Sequence, residues 1–373
     1  MFFFIGMLIL VISFISVVYK ILTGYAVVTW HTKTALLLFL SVAWFAPVWL
    51  RWLRHSPDIF DGMVYDCLYK IGYFLMGFVL ILSLLLIARD IIWQVLYFII
   101  KKPVLNPDNA HYINVLNMAT IVLALMVSFY GVYEAHKTPQ VKTLTISNQR
   151  IKKPVKIVAA SDFHINHSTP VWHINKIIDV INAQNPDYVV LVGDIVDDTP
   201  DLALRKFLTL LKLKAKKVYI SLGNHEYYNR PYGWMIEFVN AGFEVLHNSG
   251  ERIEETGLYL AGIPDVNSAK VNYDRTFKMA EDEDYKILLS HSPDNFKKTD
   301  KSKFDLQLSG HTHGGQIFPF QYITKQANEG YLSGLYHAEG TKLYVMKGAG
   351  YWGPPMRLFA EPDILVLNLE PMK

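Results

Sequence analysis

The chain has little cysteine and no strong excess of either charge. Cys67 is its single cysteine, so no internal disulfide can form. Residues 1–140 contain nine of the 36 basic and six of the 33 acidic residues, which leaves 27 of each sign for the remainder. Apart from a lysine group at 212–217 there is no basic stripe, so no nucleic acid is expected as a partner. No obligate protein partner is indicated either.

Charged residues are also scarce in the N-terminal third, where long apolar stretches replace them. Four of these stretches are long enough to cross a bilayer core of about 30 Å. They cover residues 2–19, 35–53, 71–88 and 113–133. A further apolar stretch, 91–100, is too short to cross alone; it either lies along the membrane surface or belongs to a fifth span. The pattern predicts a multi-pass protein of the cell membrane that contacts membrane lipids, with residues 1–135 as its helical region.

The loop charges predict the side of the membrane on which the C-terminal part lies. With four spans, six basic residues flank the spans on the side of the termini and five lie opposite. The six are Arg51, Arg54, Lys70, Lys137, Lys142 and Arg150, and the five are Lys20, Lys33, Arg89, Lys101 and Lys102. The positive-inside rule then favours a cytoplasmic C-terminal domain, although one extra span would reverse this.

The C-terminal part contains five short motifs built from metal-ligating residue types. They are Ser161-Asp162-Phe163-His164, Gly193-Asp194-Ile195-Val196-Asp197, Gly223-Asn224-His225-Glu226, Ser290-His291-Ser292 and Ser309-Gly310-His311-Thr312-His313-Gly314-Gly315-Gln316. Each motif follows a short apolar run typical of a strand. Side chains at the carboxyl ends of strands in an α/β sheet project into a common crevice. We therefore expect one crevice to receive Asp162, His164, Asp194, Asn224, His225, His291, His311 and His313.

These side chains are too many for a single four-coordinate ion. Two divalent ions are therefore expected. The mixture of carboxylate, amide oxygen and imidazole suits Mn, Fe or Zn. Two ions about 3.5 to 4 Å apart can share a carboxylate, activate water near neutral pH and hold a phosphoryl oxygen. The motifs therefore predict phosphoester hydrolysis by direct attack of water.

In this order the motifs resemble those of the calcineurin-like metallophosphoesterases: D-x-H, GDxxD, GNH[DE], H and GHxH. The resemblance covers residues 151–373 and is to a membrane-anchored branch with the GHTHGGQ form of the last motif. It implies an α/β/β/α sandwich. It also implies these roles: Asp162, His164 and His313 hold one ion, Asn224, His291 and His311 hold the other, and Asp194 bridges them. His225 would face the substrate and assist the leaving oxygen, with Asp197 orienting its ring.

The chain divides into three predicted parts: a transmembrane helical region at 1–135, a connector at 136–153 and a phosphoesterase domain at 154–373. An edge strand is expected at 141–147. Helices are expected at 171–183, 202–212 and 231–239, and a hairpin at 252–263.

Residues beyond the last motif are expected to form the rim of the site. The aromatic-rich loop 317–340 either caps the site or covers the domain's own core. An arginine after a Gly-Pro stretch recurs in relatives with the GHTHGGQ form, so the resemblance suggests that Arg357 contacts the substrate phosphate. Gly193, Gly223 and Gly310 each adjoin a ligand, where a side chain would crowd the ions.

The predicted function is that of a membrane-bound phosphoesterase that acts on a phosphodiester or pyrophosphate, with a lipid-linked or envelope substrate. An alternative within the superfamily is hydrolysis of UDP-2,3-diacylglucosamine in lipid A biosynthesis. An alternative of another class is a non-catalytic membrane receptor for a phosphorylated ligand. Residues 71–88 and 113–133 contain no charged residue, so the spans show no polar translocation path.

Overall fold

The structure, a computed structural model, describes residues 15, 18, 19, 22, 23, 29–54, 62–101 and 110–372. It divides into two compact units. The first comprises Met1–Tyr133 with Gly353–Met356, and the second comprises Glu134–Trp352 with Arg357–Lys373. The three-part division into 1–135, 136–153 and 154–373 remains a prediction.

The described residues of the first unit are mostly helical. They include α1 (Trp30–Trp44), α2 (Ala46–Arg54), α3 (Gly62–Ile100) and α4 (Ala110–Ala135). Among the described residues, α3 and the Tyr112–Ala135 part of α4 are each long and apolar enough to cross a membrane. The pair of α1 and α2 is bent by 66° and adds a third candidate if it counts as one span. The predicted span at 2–19 lies mostly outside the described residues. The described part of the chain therefore contains two or three candidate spans, and the expected number of four stays a prediction.

The bend between α1 and α2 follows from Pro47. Proline has no N–H to donate to the preceding turn, so a helix cannot continue through it unchanged. The indole Nε1 of Trp49 donates instead to the carbonyl of Val42, at 2.8 Å. An apolar helix can therefore break here with one of its carbonyls still hydrogen-bonded.

The stretch at 91–100 is not a helix of its own. It continues α3 without a break after the predicted span at 71–88, and the whole helix has 39 residues. At 1.5 Å per residue α3 is about 58 Å long, well beyond the thickness of a bilayer core. Arg89 and Asp90 do not end the helix, because Arg89 pairs with Asp90 and also donates to Asn117 of α4. The stretch at 91–100, for which a surface position and a fifth span were both left open, is therefore part of the same helix as the span predicted at 71–88.

The second unit contains two six-stranded sheets. Its strands are β1 (Gln140–Asn148), β2 (Val155–Ala160), β3 (Tyr188–Val192), β4 (Lys217–Ser221), β5 (Glu244–Val245), β6 (Ser249–Ile253), β7 (Leu258–Gly262), β8 (Tyr285–Leu289), β9 (Leu306–Ser309), β10 (Gly334–Ala338), β11 (Thr341–Val345) and β12 (Asp363–Pro371). The first sheet has the order β1-β12-β2-β3-β4-β5 and the second β10-β11-β9-β8-β7-β6. The expected edge strand is present as β1, and β6 and β7 form the expected hairpin.

Helices connect the strands of the two sheets. They are α5 (Val171–Ala183), α6 (Pro200–Phe207), α7 (Asn224–Tyr228), α8 (Pro231–Asn240), α9 (Tyr273–Thr276), α10 (Asn295–Lys298) and α11 (Gln321–Ala327). The helix expected at 202–212 starts earlier and ends as a 3₁₀ turn at Leu208–Lys212. Pro200 suits this start because a helix needs no N–H donor in its first turn.

Three buried clusters show how these layers pack. The central cluster joins side chains of both sheets, such as Val190 and Leu260. A second cluster packs α5, α6 and α8 on the outer face of the first sheet, with Phe207 and Trp234 fully buried. A third covers the outer face of the second sheet. Burial of apolar surface on both faces of each sheet holds the unit together.

The five motifs meet because of strand direction. Strands β2, β3 and β4 are parallel neighbours, and so are β8 and β9. Each motif follows the carboxyl end of one of these strands, so all five lie at corresponding ends of the two packed sheets.

Candidate metal centre

The loops that carry the motifs have an unusual backbone. Five residues predicted to bind metal have a positive backbone φ: Asp162 at 55°, His164 at 48°, Asp194 at 53°, His311 at 72° and His313 at 51°. This left-handed region is uncommon for residues other than glycine, and such strain concentrates at functional sites. The surrounding packing therefore holds these side chains in conformations that an isolated loop would avoid.

The first cluster consists of Asp162, His164 and His313, whose ligand atoms lie within 4.8 Å of one another. His164 Nε2 lies 3.0 Å from His313 Nε2, and His313 Nε2 lies 3.3 Å from Asp162 Oδ1. The three side chains are almost completely buried, at 0 to 3% exposed. Two imidazole nitrogens and a carboxylate that converge in this way could hold a divalent ion.

The second cluster consists of Asp194, His291 and His311. His291 Nε2 lies 3.1 Å from Asp194 Oδ2, while its Nδ1 donates to the carbonyl of Val192 at 2.9 Å. A neutral His291 would keep this bond and offer its Nε2 lone pair to a cation, whereas a protonated His291 donates from Nε2 to Asp194. The amide Oδ1 of Asn224, the residue after Gly223, is buried and accepts no hydrogen bond from the described residues. A buried acceptor without a donor is costly, so this atom fits a bound cation.

Both aspartates of the clusters remain ionised. Burial raises the pKa of the Asp194 carboxyl, but the charges of His291 and His225 outweigh burial and hold that pKa well below its usual range. Burial likewise opposes ionisation of Asp162, and His313 and His291 outweigh it, so the pKa of Asp162 is also lowered. Carboxylates that stay deprotonated are the form that binds cations.

His225 and Asp197 form a pair beside the clusters. Asp197 accepts a short hydrogen bond from Nδ1 of His225, and His225 Nε2 lies 3.9 Å from Asp194 Oδ2. The His225 side chain is 19% exposed, whereas that of His291 is fully buried. Burial lowers the pKa of His225, but Asp197 and Asp194 outweigh it and raise that pKa to about 9. His225 therefore both adjoins the clusters and reaches solvent. His164, Asp197 and His225 also form a third close group.

Comparisons with known proteins agree with this geometry. A family model described as Calcineurin-like phosphoesterase matches residues 155–315. A metallophosphoesterase of Campylobacter jejuni is 37% identical over 276 residues, which cover 69% of this chain and 71% of that protein.

The chain belongs to the calcineurin-like metallophosphoesterases. It is therefore a phosphoester hydrolase of a metal-dependent family. A bovine protein named as a transmembrane protein with metallophosphoesterase domain is 27% identical over 366 residues, 91% of this chain and 80% of that protein. With the two or three apolar helices, this relative indicates membrane association. Among solved structures, a 5'-nucleotidase precursor from Thermus thermophilus has a TM-score of 0.36 at 15% identity over 58% of this chain and 55% of its own, too weak a likeness to carry a conclusion.

Glu226 supports the second cluster of the metallophosphoesterase. Its carboxylate is fully buried and accepts four backbone N–H groups. The donors are Ile195 at 2.7 Å, Val196 at 3.0 Å, Asp194 at 3.0 Å and Gly223 at 2.7 Å. Burial and the charge of Asp194 raise the pKa of Glu226 to about 7. One side chain thus ties the loop after β3 to the loop after β4. The sequence shows Glu226 as the last residue of the GNH[DE] motif, without showing which groups it contacts.

Arg357 supports the first cluster. Its guanidinium is fully buried, and its Nη2 lies 3.1 Å from Nδ1 of His313. Its other contacts are to backbone carbonyls of His313, Lys347, Gly348, Gly350 and Ala360. This placement is at odds with the substrate contact expected from the sequence, because a buried guanidinium whose N–H groups bind carbonyls does not reach an incoming phosphate. Arg357 instead holds the backbone carbonyl of His313.

Glycines near the clusters are required for space. A Cβ at Gly223 would overlap Asp194, and a Cβ at Gly310 would overlap Asp162 and Ser161. A side chain at either position would displace a carboxylate of the clusters. This agrees with the reason for which Gly193, Gly223 and Gly310 were singled out in the sequence.

The aromatic side chains of the loop at 317–340 lie in two different environments. Tyr331 and Tyr336 pack against the core cluster on the outer face of the second sheet. Phe318 and Tyr322 remain 45% and 68% exposed. The loop therefore covers the domain's own core with part of its aromatic residues, and a cap over the site is not observed for those two tyrosines.

A separate cleft of about 800 Å³ lies away from the clusters. Tyr188 and Lys217 line it, and these residues begin β3 and β4, at the strand ends opposite the motifs. Lys217 pairs there with Glu244 and Glu251. Because Lys217 forms these ion pairs in a cleft that is open to solvent, we attach no catalytic role to this cleft.

Proposed function

We propose that this metallophosphoesterase binds two divalent ions, Mn, Fe or Zn, and hydrolyses phosphodiester or pyrophosphate bonds by direct attack of water. The observation that carries this proposal is the position of Asp194. Its Oδ2 lies 3.1 Å from His291 Nε2 in the second cluster and 3.7 Å from His164 Nε2 in the first. One carboxylate oxygen can therefore serve both clusters.

The ligands of each ion follow from the clusters. Asp162, His164 and His313 would hold the first ion, Asn224, His291 and His311 the second, and Asp194 both. When bound, the two ions would supply the Lewis acidity that activates water and neutralises charge on phosphoryl oxygens.

His225 would act on the leaving group. Asp197 accepts from Nδ1, which fixes the ring and turns Nε2 towards the clusters. A proton on Nε2 can then be donated to the departing oxygen of the substrate. The partial exposure of His225 supports this role, because the leaving group must reach it from solvent.

The substrate is proposed to be a lipid-linked or envelope phosphoester, and the protein a multi-pass one with a cytoplasmic catalytic domain. The candidate spans and the relatives named as transmembrane proteins support a membrane location. A substrate held in a bilayer would meet an enzyme anchored to the same bilayer without diffusing in three dimensions.

Phosphorus NMR tests the proposal. Detergent-purified protein supplied with Mn is incubated with UDP-2,3-diacylglucosamine or with bis-p-nitrophenyl phosphate, beside an Asp194→Asn control. Asp194-dependent cleavage of the aryl diester supports the metallophosphoesterase reaction, and release of UMP in addition supports the lipid A substrate. Inactivity on both substrates, with two ions bound, would favour the receptor for a phosphorylated ligand.

A further inference from the structure

We propose that Tyr228 and Trp352 form a binding site for an apolar group attached to the leaving oxygen of the substrate. This inference rests on the proposed function and specifies which part of the substrate the enzyme selects. It concerns two aromatic side chains that the five motifs do not include.

Both rings lie beside His225. The ring centroid of Tyr228 is 5.4 Å from that of His225, and the ring centroid of Trp352 is 6.4 Å from it. The rings are tilted by 58° and 59° to the imidazole. Tyr228 is 70% exposed and Trp352 is 51% exposed. Two large aromatic surfaces therefore stand open to solvent next to the side chain proposed to protonate the leaving oxygen.

Local structure sets the backbone position of both residues. Tyr228 ends α7, which starts at Asn224, so Tyr228 stands one helical turn after His225. Gln316 holds the backbone of Trp352 at both ends, since its Nε2 donates to Trp352 O at 2.8 Å and its Oε1 accepts from Trp352 N at 3.2 Å. Gln316 closes the GHTHGGQ motif, so the last motif that supplies metal ligands also places Trp352.

The position of His225 identifies the group that these rings would contact. Nδ1 is bonded to Asp197, and Nε2 lies 3.9 Å from Asp194. A phosphoryl group at the clusters therefore presents its departing oxygen to Nε2 of His225. Whatever is attached to that oxygen must lie beside the imidazole, whose neighbouring rings include those of Tyr228 and Trp352.

The chemistry of the rings identifies the class of group. Tyr and Trp offer broad apolar faces and lose little conformational entropy on binding, so they favour an aryl ring or an acyl chain. A small polar group such as glycerol would gain little from them. The subsite thus favours an apolar leaving group, whether aromatic or aliphatic.

Three diesters that share one transferred group test this inference. They are methyl phosphates esterified with p-nitrophenol, decanol or glycerol, and phosphorus NMR follows release of the common product, methyl phosphate. The variants are Tyr228→Ala and Trp352→Ala in the full-length, Mn-loaded protein. The matched control is Tyr232→Ala, since Tyr232 is a 77% exposed tyrosine four residues from Tyr228.

We expect each of the two variants to lower kcat/KM roughly tenfold for the apolar substrates and by less than about twofold for the glyceryl ester. If kcat/KM falls only for the p-nitrophenyl ester, the site binds aromatic groups. If kcat/KM also falls for the decyl ester, the site binds alkyl chains as well. Tyr232→Ala should leave all three values unchanged. An equal loss on all three substrates, or none, overturns the inference.

A binding measurement separates this inference from the proposed function. Wild-type protein should bind phenylphosphonate several-fold more tightly than methylphosphonate, and Trp352→Ala should remove that preference. If no diester is turned over but the preference is present, the proposed reaction fails and the subsite remains. If the wild type shows no preference, the subsite is refuted whatever the activity.

Discussion

The two ligand clusters differ in the kind of side chain that supports them. The second cluster is held by an acceptor, Glu226, which binds backbone N–H groups from the loops after β3 and β4. The first cluster is held by a donor, Arg357, which binds backbone carbonyls around His313. The kind of supporting group follows from the backbone atoms that the loops turn inward. Each cluster of strained loops therefore has a buried polar side chain that satisfies the inward-facing backbone groups.

The two supports should not be equally strong. An unpaired buried N–H group is rarer in proteins than an under-satisfied carbonyl, because a carbonyl oxygen has two lone pairs and tolerates partial pairing. Loss of Glu226 leaves backbone N–H groups without acceptors. Loss of Arg357 leaves backbone carbonyls without donors. The comparison therefore predicts a larger loss of stability on the Glu226 side.

The largest effect is expected for Glu226→Ala. Four buried N–H groups lose their acceptor, which should lower the free energy of unfolding by about 3–5 kcal/mol. Glu226→Gln keeps one acceptor oxygen and should lose less. Urea unfolding of the metal-free protein in detergent measures both, with the exposed Glu283→Ala as a control expected within about 0.5 kcal/mol of wild type.

Arg357→Met should have the next largest effect. The aliphatic chain retains packing but leaves the carbonyls around His313 without donors, so a loss of about 2–3 kcal/mol is expected. The control is Arg230→Met, because the Arg230 side chain is 72% exposed. A loss for Arg357→Met larger than that for Glu226→Ala, in the same unfolding experiment, would reverse the comparison.

A smaller, local effect is expected on metal binding. Glu226→Gln should weaken the ion at the second cluster about tenfold, and Arg357→Lys the ion at the first, because side chains that orient ligands tune affinity to this extent. The affinity for Mn is measured by equilibrium dialysis in two backgrounds. His164→Ala impairs the first cluster and leaves the second, whereas His311→Ala impairs the second and leaves the first. If Glu226→Gln weakened Mn binding only in the His311→Ala background, Glu226 would support the first cluster and its assignment to the second would be wrong.

The smallest effect concerns Asp363, a buried carboxyl near Arg357. Burial raises the pKa of Asp363 to about 6, although the backbone N–H of Lys347 and the charge of Arg357 oppose it. A raised carboxyl pKa contributes stability below the unfolded value of about 3.9, and that contribution is lost as the pH rises through about 6. At pH 7.5, Asp363→Asn should therefore raise the free energy of unfolding by about 1 kcal/mol.

The same measurement at pH 3.5 is the control for Asp363, since the wild-type carboxyl is protonated there and the substitution should have little effect. The gain at pH 7.5 should be larger in the Arg357→Met background, where no nearby cation stabilises the carboxylate. Destabilisation by Asp363→Asn at pH 7.5 would show that the carboxylate itself is needed.

The sequence predicts the metal-ligating side chains of the site better than the side chains that support them. Asp162, Asp194, His291 and His313 were predicted together because each follows an apolar run, and strand ends in parallel sheets converge. Arg357 was expected at the rim and is buried, because no local pattern shows which carbonyls an arginine will meet. The number of spans also stayed ambiguous: apolar length does not reveal that α3 runs on through Arg89 or that Pro47 bends the helix pair.

By itself, the sequence determined the family, the ligand types and the strand ends that present them, because spacing along the chain carries all of this. Only the tertiary structure decided which side chains hold the ligands in place. Arg357 and His313 are 44 residues apart, and Gln316 and Trp352 are 36 apart. Contacts between such loops depend on how the two sheets pack, since the partner of a buried charge is whichever backbone group the packing turns toward it.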